Sequence, residues 1–232
     1  MEASGKAETF TTLAKVALSL NLRARKRRGV GAVALPPLIL VTDEDRLPEP
    51  LGTAARLPKG SALILRHRDR RRRRALALRL SGLCRERGLV LLVADDPTLA
   101  HDVDAGLHLS ERRLLGPVHR GTGGPARQRG RLLTAAAHSM RALVLAARRG
   151  VGAVLLSPVF ETASHPGRRP LGPCRFAALA RRSPVPVYAL GGLTGSTARR
   201  IQATEAVGIA ALGAFMGRSA RLSRPPSRRS LR

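Results

Sequence analysis

The chain has 232 residues, which suits one large domain, and 44% of them are hydrophobic, enough to bury a sizeable core and to exclude a wholly disordered protein. No apolar run approaches the roughly 20 residues of a membrane-spanning helix, and two cysteines are too few for a disulfide framework or a cysteine-based zinc site. Lysine and arginine number 42 against 15 aspartate and glutamate, and the formal net charge of +27 suggests a polyanionic partner.

Residues 1–35 are predicted to be an extension and linker ahead of the main domain. Apolar residues recur at helical intervals over Thr9–Leu22, which predicts a short amphipathic helix, and the basic run Arg23–Arg28 then begins a linker. The composition resembles a mitochondrial transit peptide, but Glu2 and Glu8 weaken that interpretation. A misassigned translation start would explain the same segment.

Eight short apolar runs follow, each suited to a buried parallel strand, and most are separated by segments with helical character. Eight such units in about 180 residues predict an α/β protein with a compact (β/α)8 TIM barrel, and an open doubly wound sheet is the alternative. The runs are Leu38–Thr42, Ala62–Leu65, Leu89–Val93, Gly106–Leu109, Leu132–Ala136, Ala153–Ser157, Val185–Leu190 and Ile209–Leu212. The helical segments include Ala75–Glu86, Met140–Arg149, Arg175–Arg182 and Thr197–Ala206.

The positive charge is concentrated in three segments, Arg23–Arg28, Arg66–Arg74 and the tail of residues 218–232. The tail is rich in Arg, Ser and Pro and is predicted to be disordered. None of the three segments contains the aromatic residues that stack on single-stranded nucleic acid. A solvated arginine-rich surface is therefore favoured, and weak binding of nucleic acid or another polyanion is the alternative.

Residues that could do chemistry follow the strands, because an active site in such a barrel lies at the strands' carboxyl ends. Glycines after strands seven and eight predict a phosphate site, or only tight turns. Hydroxyls and an imidazole after strand six suit pyrophosphate, or an ordinary surface loop. Aspartates after strand three could hold Mg²⁺ or cap a helix, and two histidines could be acid–base or structural groups. The glycines are Gly191, Gly192 and Gly213, and the residues after strand six are Thr162, Ser164 and His165. The aspartates are Asp95 and Asp96, and the histidines are His108 and His138.

Six stretches, in this order, resemble the thiamine phosphate synthase/TenI family, and the likeness covers residues 36 to about 217. The loop after strand six and the glycine-ended strand seven are the specific matches. The stretches are Leu38–Asp43, Leu91–Asp95, Gly106–Leu109, Ala136–Ser139, Ser157–Gly167 with Pro170–Gly172, and Val185–Leu193.

This resemblance implies a barrel enzyme of thiamine biosynthesis. The implied reaction is a transferase reaction that couples hydroxymethylpyrimidine diphosphate with thiazole phosphate, releases pyrophosphate and uses Mg²⁺. The implied partners are these two phosphorylated substrates. A cytoplasmic location, no membrane association and a homo-oligomer are expected.

The family's site residues carry over in part. By resemblance Arg66 and Arg68 match cations after strand two, and Asp95 matches the first metal-binding aspartate. Several positions depart from the family pattern: His165 stands for a lysine, Arg113 for the second metal-binding aspartate, and Ala136 and Gly213 for serines.

Other activities therefore stay open. His138 matches the acid–base histidine of the TenI branch, so a thiazole tautomerase is one alternative and a non-catalytic phosphate binder is another. A non-enzymatic, arginine-rich polyanion-binding protein on the same barrel is the alternative from a different class.

Overall fold

The strands form one closed, all-parallel barrel in chain order, with β8 pairing with β1, which confirms the predicted (β/α)8 architecture. The computed structural model describes residues 2–29, 34–117, 130–162, 167 and 169–212, with side chains from residue 10 onward. The strands are β1 Leu38–Val41, β2 Ala62–Leu65, β3 Val90–Ala94, β4 Gly106–Leu109, β5 Leu133–Ala137, β6 Ala153–Leu156, β7 Val187–Leu190 and β8 Gly208–Ala211. Each lies within two residues of its predicted bounds.

Helices cover the outside of the barrel, and three of the four predicted helices are present. Of the fourth, Thr197–Ala206, only the beginning is helical, because that helix ends at Arg199. The third helix begins five residues earlier than predicted because Asp69 caps it, accepting a hydrogen bond from the Arg72 amide. The described helices are α1 Glu2–Arg28, α2 Leu51–Ala54, α3 Arg70–Arg87, α4 Pro97–Asp102, α5 Glu111–Leu115, α6 Met140–Arg148, α7 Gly172–Arg182 and α8 Gly195–Arg199.

Alternate residues of each strand face two different cores. One core lies between the strands and the helices, and the other fills the barrel interior with Ile39, Ile64, Leu92, Leu155 and Tyr188, all at most 1% exposed. Because side chains alternate along a strand, the interior-facing set ends in polar residues at the carboxyl end of the barrel. The fold thereby directs those polar side chains into one mouth.

The N-terminal segment is part of the barrel's packing rather than an extension. Helix α1 runs 27 residues, and Leu13, Ala17 and Leu20 are fully buried in the outer core against β8 and α8. The basic run Arg23–Arg28 is the last part of this helix, not the start of a linker. Apolar residues at helical spacing marked the helix, but only its packing shows that it covers the seam between β8 and β1.

Asn21 fastens α1 to the barrel, and we expect Asn21→Leu to lower the free energy of unfolding by about 2 kcal/mol. Its side-chain amide donates to the carbonyls of Leu35 and Val207, both at 3.0 Å, so the variant leaves two buried acceptors unpaired. Urea denaturation measures the effect. Gln202→Leu makes the same change at an exposed position and should cost under about 0.5 kcal/mol. Equal losses would contradict the fastening role.

The second basic segment, Arg66–Arg74, is largely balanced by acids. Five of its arginines form ion pairs with carboxylates from neighbouring loops and helices, and most of these pairs are exposed, so each contributes little to stability. The pairs are Arg66–Asp43, Arg68–Asp45, Arg72–Glu49, Arg73–Asp96 and Arg74–Asp102. The tail of residues 218–232 lies outside the described residues. Among the described helices none combines the length and the apolar character that crossing a membrane requires.

Candidate active site

Arg66 stands at the end of β2 in a fixed position. Its backbone amide donates to the Thr42 hydroxyl at 3.0 Å, and its guanidinium donates to the Asp43 carboxylate at 2.9 Å. Burial works against the ionised form of Asp43, but the hydrogen bond and charge of Arg66 outweigh it and hold the pKa of that carboxyl below its usual value. Arg66 is about half exposed and available to a ligand at the mouth.

Arg68 lies on the rim. Its side chain is 81% exposed and reaches the Asp45 carboxylate at 3.1 Å, while its backbone amide donates to Glu44. The structure therefore fixes Arg66 at the mouth and leaves Arg68 in a surface network. The sequence pattern alone did not distinguish them.

Two histidines at the mouth are buried and held by threonines. Nδ1 of His108 lies 2.9 Å from the Thr134 hydroxyl, and Nδ1 of His67 lies 3.3 Å from the Thr42 hydroxyl. Burial lowers the pKa of His108 to about 4, and it also lowers the pKa of His67. Both rings are therefore neutral near pH 7, which favours the structural interpretation of His108. No sequence pattern marked His67 as a site residue.

Asp95 anchors the segment that follows β4. Its backbone adopts a left-handed conformation with φ of 54°, and its Oδ1 accepts from the Ser110 amide at 2.8 Å. Its carbonyl oxygen accepts from Nη2 of Arg113 at 3.0 Å. The adjacent Asp96 caps α4 by accepting from an amide at 3.0 Å, and it pairs with Arg73 at 2.6 Å. The helix-cap interpretation of Asp96 is confirmed.

His138 and Glu111 form a carboxylate–imidazole pair. Oε2 of Glu111 lies 2.6 Å from Nδ1 of His138, and Oε1 accepts from the His138 backbone amide at 2.8 Å. Both side chains are about one-fifth exposed. Nδ1 is hydrogen-bonded to the Glu111 carboxylate, and Nε2 has no hydrogen-bond partner within the described residues. The imidazole can therefore accept and donate a proton at Nε2. Glu111 and His138 are 27 positions apart in the sequence, and no local pattern indicates that they pair.

The glycine pair after β7 lies against the loop after β6. Gly191 and Gly192 have φ of 99° and 65°, and a Cβ on Gly192 would lie 2.3 Å from the Glu161 carbonyl oxygen. The Phe160 amide donates to the Gly191 carbonyl at 3.1 Å, so the two loops join by backbone hydrogen bonds. Thr162 lies at the end of the described part of this loop. The predicted residues Ser164, His165 and Gly213 lie outside the described residues.

Comparison with known proteins decides the family. The sequence model of the thiamine monophosphate synthase family, TMP-TENI, matches residues 38–215. The chain belongs to this family. Thiamine biosynthesis and the transferase class, which the motifs implied, are thereby confirmed at the level of the family.

Individual relatives of the synthase family differ in length. A thiamine-phosphate synthase of Parasynechococcus marenigrum is 35% identical over 146 residues, and the match covers 62% of this chain but 41% of that protein. A putative thiamine-phosphate synthase 2 of Aquifex aeolicus is 30% identical, with 78% and 98% covered. The chain thus spans about two-fifths of the first relative and nearly all of the second. A thiamine phosphate pyrophosphorylase from Pyrococcus furiosus shares the fold, with a TM-score of 0.64 at 23% identity over 79% of this chain and 89% of that one.

The magnesium site implied by the synthase family does not fit the described residues. Asp95 supplies one carboxylate, but Arg113 stands at the second position of the family pattern, and its guanidinium donates to the Asp95 backbone carbonyl. The Asp43 carboxylate is already paired with Arg66. Over the described ranges no group of three or more His, Cys, Asp or Glu side chains is placed to hold a metal ion. A cation at a ligand position opposes binding of a divalent ion.

Proposed function

We propose that the chain couples hydroxymethylpyrimidine diphosphate with thiazole phosphate to give thiamine phosphate and pyrophosphate. The observation that carries this proposal is the closed parallel barrel, which brings Arg66 after β2, Arg113 in α5 and the glycine pair after β7 to the carboxyl ends of the strands. Arginine suits phosphate oxygens, and glycine backbone amides suit a second phosphate group. Family membership supports the same assignment.

In this proposal the bond between the pyrimidine methylene carbon and a diphosphate oxygen breaks, and its electron pair leaves with pyrophosphate. The thiazole nitrogen then attacks the carbocation-like methylene. Arg66 binds the departing anion, and Arg68, Thr162, Ser164 and His165 are proposed to join it. Gly191, Gly192 and Gly213 are proposed to bind the thiazole phosphate.

A coupling assay with both phosphorylated substrates, each also omitted singly, tests this function. Thiamine phosphate should form only when both substrates are present, and chromatography of the product measures it. Absence of thiamine phosphate with and without Mg²⁺ would contradict the proposal.

His165→Ala is expected to lower the coupling rate about 10-fold or more, because a pyrophosphate donor is lost. Truncation after Gly217 should leave the rate unchanged, since the removed tail follows the barrel. Steady-state rates of the two variants check this. Equal losses would show that the tail contributes to activity.

A thiazole tautomerase is the second candidate, and the Glu111–His138 pair favours it. Tautomerisation needs a group that removes a proton from one position and returns it to another, without a metal. An imidazole whose Nδ1 is held by a carboxylate can do this at Nε2.

Glu111→Gln is expected to slow thiazole phosphate isomerisation about 10- to 100-fold, because the carboxylate no longer orients and stabilises the His138 imidazolium. The pH dependence of the rate should shift as well, which a purely structural role would not cause. Glu86→Gln, an exposed change on α3, is the control. Unchanged isomerisation in Glu111→Gln would exclude the pair from catalysis.

Polyanion binding receives less support as a separate function. Five arginines of the second basic segment pair with acids, which lowers the net positive charge that this surface presents to a polyanion. Nucleic-acid affinity that falls steeply with salt would support it, and no binding at low salt would exclude it. A cytoplasmic location and a homo-oligomer stay predictions.

A further inference from the structure

Arg113 is a positively charged side chain at the barrel mouth, and no carboxylate among the described residues pairs with it. Five arginines of the second basic segment pair with acids, whereas Arg113 forms no ion pair with any residue in the described ranges. Its side chain is half-buried, and its one side-chain hydrogen bond there goes to the Asp95 carbonyl. The other four guanidinium N–H groups have no hydrogen-bond partner among the described residues.

The surroundings hold Arg113 in place. Ser110 caps α5 by accepting from the Arg113 amide at 3.3 Å, and Asp95 in turn accepts from the Ser110 amide. At the other end of α5, Arg149 donates to the carbonyls of Arg113 and Gly116, at 3.2 and 2.6 Å. The helix is short, yet both of its ends are fixed by side chains. Such pre-organisation suits a group that must meet an anion at a defined point.

Asp95 has a different task in this arrangement. Its Oδ1 and its carbonyl oxygen both bind the segment of residues 110–113, so it acts as a positioning residue for Arg113. The Arg113 guanidinium, which donates to the Asp95 carbonyl, would repel a divalent cation bound at Asp95. The guanidinium itself supplies positive charge there in the absence of a metal ion.

We propose that Arg113 takes the place of a metal ion in this chain, so that the diphosphate group binds without Mg²⁺. This rests on the proposed coupling function, since that function supplies the diphosphate. When the carbon–oxygen bond breaks, the electron pair stays on the pyrophosphate oxygen, and Arg113 stabilises the added charge through N–H donors. No co-reactant is required.

Calorimetric titration with inorganic pyrophosphate, in EDTA and then in Mg²⁺, tests the proposal. The wild-type chain should bind in EDTA, and adding Mg²⁺ should change its affinity less than about threefold. Arg113→Gln keeps a donor to the Asp95 carbonyl but loses the charge, and should weaken binding about 10- to 100-fold. Arg112→Gln removes the same charge from the exposed neighbour and should bind within about twofold of wild type.

Arg113→Asp provides a second measure, because it restores two aspartates at the mouth. Its binding should be weak in EDTA and recover when Mg²⁺ is added. The proposal is overturned if wild type binds only in Mg²⁺, or if Arg113→Gln binds as wild type does.

The two proposals fail in different ways. Metal-independent binding through Arg113 without formation of thiamine phosphate would remove only the coupling function. If thiamine phosphate formed but pyrophosphate bound only in the presence of Mg²⁺, only the proposed role of Arg113 would be excluded.

Discussion

Replacing Gly192 by alanine should reduce coupling activity about 100-fold and lower the free energy of unfolding by about 3 kcal/mol. The added Cβ would lie 2.3 Å from the Glu161 carbonyl oxygen and 2.7 Å from Cβ of Phe160. The backbone also has φ of 65°, which costs a residue with a Cβ about 1–2 kcal/mol. The loops after β6 and β7 must separate, and both carry proposed phosphate-binding groups.

Gly60→Ala separates the cost of a positive φ from the cost of the clash that an added Cβ would cause. Gly60 has φ of 81°, but a Cβ there would meet nothing within 4 Å, and the residue precedes β2 at the opposite end of the barrel. It should lose about 1–2 kcal/mol and keep full activity. Urea denaturation and steady-state rates measure both variants. If Gly192→Ala behaved like Gly60→Ala, the close packing of the loops after β6 and β7 would not be the reason that position 192 requires glycine.

Lowering the pH from 7 to 4 should reduce the free energy of unfolding by about 3 kcal/mol through His108. Burial lowers its folded pKa from 6.5 to about 4, and each pKa unit corresponds to about 1.4 kcal/mol. As the pH falls, His108 of the unfolded chain therefore binds its proton at a higher pH than His108 of the folded chain. The stabilisation is complete above pH 6.5 and is lost as the pH falls toward 4.

Urea denaturation at several pH values measures this slope, and His108→Gln is the control. Its amide can still meet the Thr134 hydroxyl but does not titrate, so the slope between pH 6.5 and 4 should flatten. His67, whose pKa is also lowered, adds a dependence of the same sign. Asp43 contributes at lower pH, because its pKa lies below 3.8. If the free energy of unfolding of His108→Gln depended on pH as it does in the wild type, groups other than His108 would cause the acid sensitivity.

Local sequence was sufficient for the eight strands and for the family. The eight strands are short apolar runs buried on both faces, so each is recognisable without knowledge of its neighbours. The glycine-ended β7 and the loop after β6 gave the family from residue type and order, as the match to residues 38–215 confirms. Helix ends were less well predicted, since a cap such as Asp69 depends on a single hydrogen bond.

The sequence by itself determined the eight strands, the strand ends that carry the polar residues and the positions that depart from the family, and the structure fixed the strand order. The tertiary structure decided what those residues contact. It packed α1 onto the barrel, paired Arg66 with Asp43, joined Glu111 to His138, and placed Arg113 beside Asp95 without a carboxylate partner among the described residues. Strand formation depends on residues near each other in the chain, whereas these contacts join residues that only barrel closure brings together.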